Sequence, residues 1–143
     1  MLRTYDLEQV YQGRLETDGD LLKQLTEIVE QQNITAGKVS AIGAVKKAMI
    51  SYYDQQNQEY NDQLLDQSLE IVNLTGNVSI KDDSPIVHAH IALANEEGQV
   101  YGGHLEEGTI VFACEYIIEE YAGQAWERKF EPQTGLPLWQ QNK

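Results

Sequence analysis

Cysteine is almost missing from this chain: Cys114 stands alone, so no internal disulfide can brace the fold. Long apolar runs are missing altogether, and nothing approaches the ~20 consecutive apolar residues that a membrane-crossing helix needs. The opening stretch MLRTYDLEQVYQGRL lacks the unbroken apolar segment of a secretory leader. These absences lead us to expect a cytoplasmic protein with no membrane association. Positive charge is also scarce, with 10 Lys and Arg against 23 Asp and Glu and a formal net charge of -13. Proteins hold phosphate backbones largely through Lys and Arg, and Lys46-Lys47 and Arg128-Lys129 are the only adjacent basic pairs here. Unaided nucleic-acid binding is therefore disfavoured, and the acidic surface reads first as a solvated one.

What is present fits a single domain spanning 1-143, a length at which folding buries roughly 70% of the surface of the unfolded chain. Thr4 to Leu15 reads as a strand or strand pair, and the acidic turn ETDGD after it supplies Asp18 or Asp20 as a helix cap. Leu21, Leu22, Leu25, Ile28 and Val29 then share one helical face, and the polar QQN sets an end near Gln32. From Gly37 the pattern turns to strands. KVSAIGAVKKAMISYYD gives two short runs broken between Gly43 and Lys47, ISYYDQQNQEYND a strand entering a hairpin turn, and SLEIVNLTGNVSI a strand with a bulge or bend at Gly76-Asn77. In GTIVFACEYIIEEY, Ile110, Phe112, Cys114, Tyr116 and Ile118 fall on one face at period two. The tail EPQTGLPLWQQNK, with two prolines and a glycine, reads as irregular or short-stranded. One amphipathic helix among many strands predicts an α+β fold around a central, mostly antiparallel sheet.

All three histidines lie within VHAHIALANEEGQVYGGHL. In a strand, Val87, Ala89, Ile91 and Leu93 face the core, while His88, His90 and Ala92 share the other side with the two imidazoles ~6.5 Å apart. The position of His104 depends on the turn. A two-residue loop at Glu96-Glu97 would set Ala89 opposite His104 and send that ring to the other face. A three-residue loop, Glu96-Glu97-Gly98, is favoured because Gly98 falls where this loop needs a left-handed residue, and it sets His90 opposite His104 and His88 opposite Glu106. Three neutral imidazoles on one hairpin match an open zinc site whose fourth position is a water, a carboxylate or a substrate. The alternative is three histidines that hold no metal. Glu106 and Glu115 are candidate fourth groups, along with water or a neighbouring subunit. Cys114 falls on an apolar phase and reads as structural. Ser40, Ser51 and Ser79 lack a nucleophile-elbow context, and no phosphate-binding glycine loop is present, so no complete catalytic constellation is found.

The order of GRLETDGDLLKQL, GKVSAIGAV, SLEIVNLTGNVSI, VHAHIAL, GQVYGGHL, FACEYII and ERKFEPQTGLPLW resembles the PPC domain, the "plants and prokaryotes conserved" family, over nearly the whole chain. The LTGN turn, the H-x-H strand and the GGHL segment are the most specific parts. The resemblance implies a homotrimer and a metal, usually zinc, on the histidines matching His88, His90 and His104. It also implies a distant fold kinship with acetolactate decarboxylase, which makes a zinc-dependent lyase or hydrolase on a small metabolite conceivable without establishing activity. The family's DNA-binding label comes from plant members that carry a basic AT-hook; its Arg-Gly-Arg-Pro core is absent here, so the label transfers poorly. The resulting expectation is a stand-alone, homotrimeric zinc-binding module of undetermined cellular role. A small ligand at the metal, or a DNA-associated role, stands as the alternative.

Overall fold

In the computed structural model, which describes residues 1–140, strand β1 (Asp6–Arg14) leads into helix α1 (Leu21–Gln31). Asp20 caps the helix, accepting from the Lys23 N–H at 3.0 Å. Its other oxygen accepts from the Gly108 N–H at 2.6 Å, so one carboxylate ties the helix start to a distant turn. The helix ends at Gln32, and Asn33 adopts a left-handed conformation (φ 56°) while the Ile34 N–H returns to the Val29 carbonyl. Leu21, Leu25 and Val29 are fully buried. The expected helical face is the one that meets the core.

The two short runs expected after Gly37 are one 18-residue strand, β2 (Gly37–Asp54). The irregularities between Ala41 and Lys47 bend this strand and change its neighbours without ending it. Its first half lies between β4 (Leu69–Lys81) and β7 (Ile110–Ala122); its second half pairs with β3 (Glu59–Leu65) and touches β6 (Val100–Leu105). Strand β5 (Ser84–Ala94) joins β4 to β6, so β2, β4, β5 and β6 close into a ring. The pairing is antiparallel except where β8 (Glu127–Glu131) meets β4 at Ile80, and β9 (Leu136–Gln140) pairs with β8. The tail therefore forms a hairpin; its last three residues lie outside the described ones.

Two expectations about side-chain direction need correction. No bulge occurs at Gly76-Asn77, which pair in register with Ala89 and His88; the extra residue is Val72, between Ile71 and Asn73. Gly76 serves close approach instead, since a Cβ there would lie 2.4 Å from the His88 carbonyl oxygen. In β7, Phe112 is skipped between Ala113 and Val111 in the pairing with β2, which inverts the alternation beyond it. Val111, Cys114 and Ile118 are buried, whereas Phe112 is 58% exposed.

Candidate metal centre

The register derived from Gly98 is the one observed: His90 pairs with His104, Ala92 with Gly102 and Ala94 with Val100. Gly98 is left-handed at φ 78°, and the Asn95 N–H reaches the Gln99 carbonyl at 3.0 Å. Asn95 also accepts the Glu97 and Gln99 N–H groups on its side-chain oxygen, which fixes the turn from within. Because β5 is held by β4 and β6 by β2 through Ser51 and His104, the histidine hairpin is anchored on both sides.

His88, His90 and His104 come together with one ring nitrogen from each, all within 4.8 Å of one another. His88 Nε2 and His104 Nδ1 are 3.1 Å apart, close to the roughly 3.3 Å between two nitrogens bound at ~2.0–2.1 Å to a tetrahedral zinc. His88 and His104 are half-buried and His90 is exposed. Burial, then the charge of Arg128, then the neighbouring imidazoles push the His88 pKa down to about 4. His104 is also lowered, chiefly by burial, with Glu106 pulling the other way. These rings are thus held in the neutral form that a metal requires. By spacing and donor type the cluster fits zinc.

Of the proposed fourth groups, Glu106 is near and Glu115 is not. Glu106 Oε1 lies 3.9 Å from His104 Nε2 and accepts from the Ser51 hydroxyl at 2.6 Å. Strand β6 ends at Leu105, so the expected His88–Glu106 pair lies beyond the ladder. Glu115 lies opposite Ile42 on β2 and Arg14 on β1, lining a different depression. Cys114 is buried, as its apolar phase indicated, and its thiol is pushed up to about 11.

The group that sequence reading missed is Arg128, noticed there only as part of a basic pair. Pairing of β8 with β4 brings its guanidinium to His88: Nη2 is 3.1 Å from His88 Nδ1 and donates to Asn77 Oδ1 at 2.9 Å. Nε donates to the buried Ser79 hydroxyl at 2.8 Å and Nη1 to the Pro137 carbonyl at 3.2 Å. Arginine can only donate, so His88 Nδ1 is the acceptor and the neutral ring carries its proton on Nε2, toward His104 Nδ1. The proton on His104 then sits on Nε2, facing Glu106. Behind Arg128 the side chains stack: its guanidinium lies 5.6 Å from the Trp139 ring, Trp139 is parallel to Trp126 at 5.6 Å, and Arg3 covers Trp126 at 4.1 Å. Tyr60, whose ring is 5.4 Å from that of His104, helps line a cavity of about 330 Å³ with His88, His104, Glu106 and Arg128.

The Plants and Prokaryotes Conserved (PCC) domain model matches residues 3–122, which carry all three histidines but not the β8–β9 hairpin. The metal-containing protein AF0104 from Archaeoglobus fulgidus is 43% identical, with a TM-score of 0.94 over 99% of each chain. A plant- and prokaryote-conserved (PPC) protein from Pyrococcus horikoshii is 37% identical, with a TM-score of 0.92 over 100% of this chain and 99% of that one. A structure from Bacteroides thetaiotaomicron, 23% identical with a TM-score of 0.86 over 96% of this chain and 98% of that one, shares the fold. Among curated proteins, the Bifunctional protein GlmU of a Synechococcus strain is 34% identical over 129 residues, which cover 89% of this chain and 20% of that protein. The chain thus spans about a fifth of the length of that relative. The three-histidine hairpin in a mostly antiparallel sheet carrying one helix, together with these matches, leads to one assignment: the chain belongs to the Plants and Prokaryotes Conserved (PCC) domain family.

Proposed function

We propose that this chain is a zinc-binding module, with His88, His90 and His104 as the protein ligands, that assembles as a homotrimer and offers its metal to a small molecule. The observation that carries this reading is the convergence of three imidazole nitrogens within 4.8 Å on one anchored hairpin. Burial keeping His88 neutral supports it, as does the metal-containing relative at 43% identity. Zinc in such a place supplies Lewis acidity toward a carbonyl, or a bound water that ionises near neutral pH. His88, His90 and His104 would hold the ion, Glu106 places a negative charge 3.9 Å from the outer nitrogen of His104, and Tyr60 helps line the cavity.

Metal analysis of protein purified without a histidine tag tests the assignment. Wild type should carry close to one zinc per chain and a His88→Ala, His104→Ala double variant close to none; equal content in both, or none in wild type, rejects it. Sedimentation should give three times the 16.2 kDa chain mass.

A DNA-associated role is the second reading, since two more distant structures of the same fold carry a provisional DNA-binding label. The charge of -13 opposes it. Among the described residues no helix is long and apolar enough to cross a membrane, and a cytoplasmic location remains our expectation.

A further inference from the structure

We propose that Arg128 is the anion-receiving group of this site and that the cavity beside the histidines takes a small carboxylate, bound jointly with the metal. The proposal rests on the zinc reading above and starts from a mismatch in hydrogen bonding. A histidine that gives one ring nitrogen to a metal keeps a proton on the other, and that N–H normally donates to a carboxylate, a carbonyl or water. His88 Nε2 is the nitrogen facing His104, so the outer nitrogen is Nδ1, and what faces Nδ1 is the guanidinium of Arg128 at 3.1 Å. Arginine has no acceptor to offer. Metal uptake by His88 therefore leaves two donors turned toward each other, while Asn77 Oδ1 and Ser79 Oγ, the oxygens at hand, are already engaged by the same guanidinium. A carboxylate oxygen would satisfy both donors at once, in the charge-assisted manner that suits a planar guanidinium.

The cavity agrees with such a ligand in sign, size and lining. In a protein with 13 more acidic than basic side chains, this cavity is lined by two cations, Arg128 and Lys81, and by one carboxylate, Glu106, which Ser51 holds on the His104 side. A divalent ion on neutral imidazoles adds further positive charge. The volume of about 330 Å³ suits a small metabolite, and Ile86, Leu136 and Leu138 give an apolar wall for a short aliphatic chain. Arg128, Leu136 and Leu138 all come from the β8–β9 hairpin, beyond the 3–122 stretch that defines the family match. The hairpin is thus assigned a role in selecting what approaches the metal.

The test uses full-length protein loaded with cobalt(II), whose visible absorption reports on the ligands, titrated with butyrate and, as an uncharged control, with n-butanol. Butyrate should shift the cobalt bands saturably and tighten metal binding by roughly tenfold, because coupling between two ligands is reciprocal; n-butanol should do neither. Arg128→Met should keep the metal and weaken butyrate by about tenfold or more, with Arg128→Lys in between. Metal binding that is indifferent to butyrate, or a butyrate effect undiminished in Arg128→Met, overturns the proposal while leaving the zinc site standing. Failure of wild type to bind any metal removes the zinc reading first and this one with it. If Arg128→Met does not fold, the wild-type contrast between butyrate and n-butanol decides.

Discussion

At His88 three demands meet: a ring placed among two other imidazoles, a guanidinium on one nitrogen, and partial burial. The cost of charging it should appear as a dependence of stability on pH. With a folded pKa of about 4 against 6.5, His88 stays neutral over an interval in which the unfolded chain takes up a proton. Its contribution is complete above pH 6.5 and disappears as pH falls toward 4. Metal-stripped protein should lose roughly 2 kcal/mol across that window, after discounting for the ring's partial exposure. Urea midpoints at pH 7 and pH 4.5 for wild type and His88→Gln check this; the same pH slope in both would remove His88 as the cause. Cys114 gives a second residue-scale expectation. With its thiol pushed up to about 11 and 1% exposed, it should resist a disulfide-exchange reagent at pH 8 until the protein unfolds. Rapid labelling of the native state would contradict the burial.

Among the elements, the β5–β6 hairpin shows how one residue places a site. Gly98 at φ 78° permits the three-residue loop, and the loop sets the register that faces His104 with His90. Gly98→Val should cost about 1–2 kcal/mol and weaken metal binding, because a β-branched residue resists that conformation and strains the register. A destabilised variant with unchanged metal affinity would show that the ladder alone holds the histidines. Asp20→Ala should cost about 1–2 kcal/mol in thermal or urea unfolding, through loss of the helix cap and of the Gly108 N–H bond. Both features are local, which is why they were readable from sequence: a turn glycine and a cap residue act within a few positions. The unread features depend on pairing between distant segments. Phe112 is skipped in the pairing of β7 with β2 and Val72 in the pairing of β4 with β5, and no alternation within either strand announces that. Arg128 reaches His88 only because a single parallel bridge joins Ile80 to Glu127, 47 positions apart in sequence. The tail EPQTGLPLWQQNK reads as irregular or short-stranded, and nothing in it says that it forms a hairpin or which strand that hairpin joins.

For the whole molecule, charge is the governing quantity. Copies that each carry -13 repel one another, so added salt should strengthen the proposed homotrimer if it is held by the exposed apolar side chains of β2 and β7, such as Ile42, Phe112 and Ile117. Binding to duplex DNA would show the opposite salt dependence. Sedimentation between 0.05 and 0.5 M NaCl, with a gel-shift series over the same range, separates the two. We expect the trimer to persist or tighten and no DNA complex at physiological ionic strength; salt-sensitive DNA retention would revive the DNA-associated reading. The closed ring of β2, β4, β5 and β6 works at this scale as well, since it gives the histidine hairpin a partner strand on either side, β4 along β5 and β2 at the His104 end of β6.

The stack of Arg3, Trp126, Trp139 and Arg128 also gives the protein an optical channel. Trp126 and Trp139 are its only tryptophans, they lie parallel at 5.6 Å, and Trp139 carries the guanidinium that touches His88. Ultraviolet emission and exciton-coupled circular dichroism from this one pair will therefore follow any displacement of Arg128, with no label introduced and no other indole to dilute the signal.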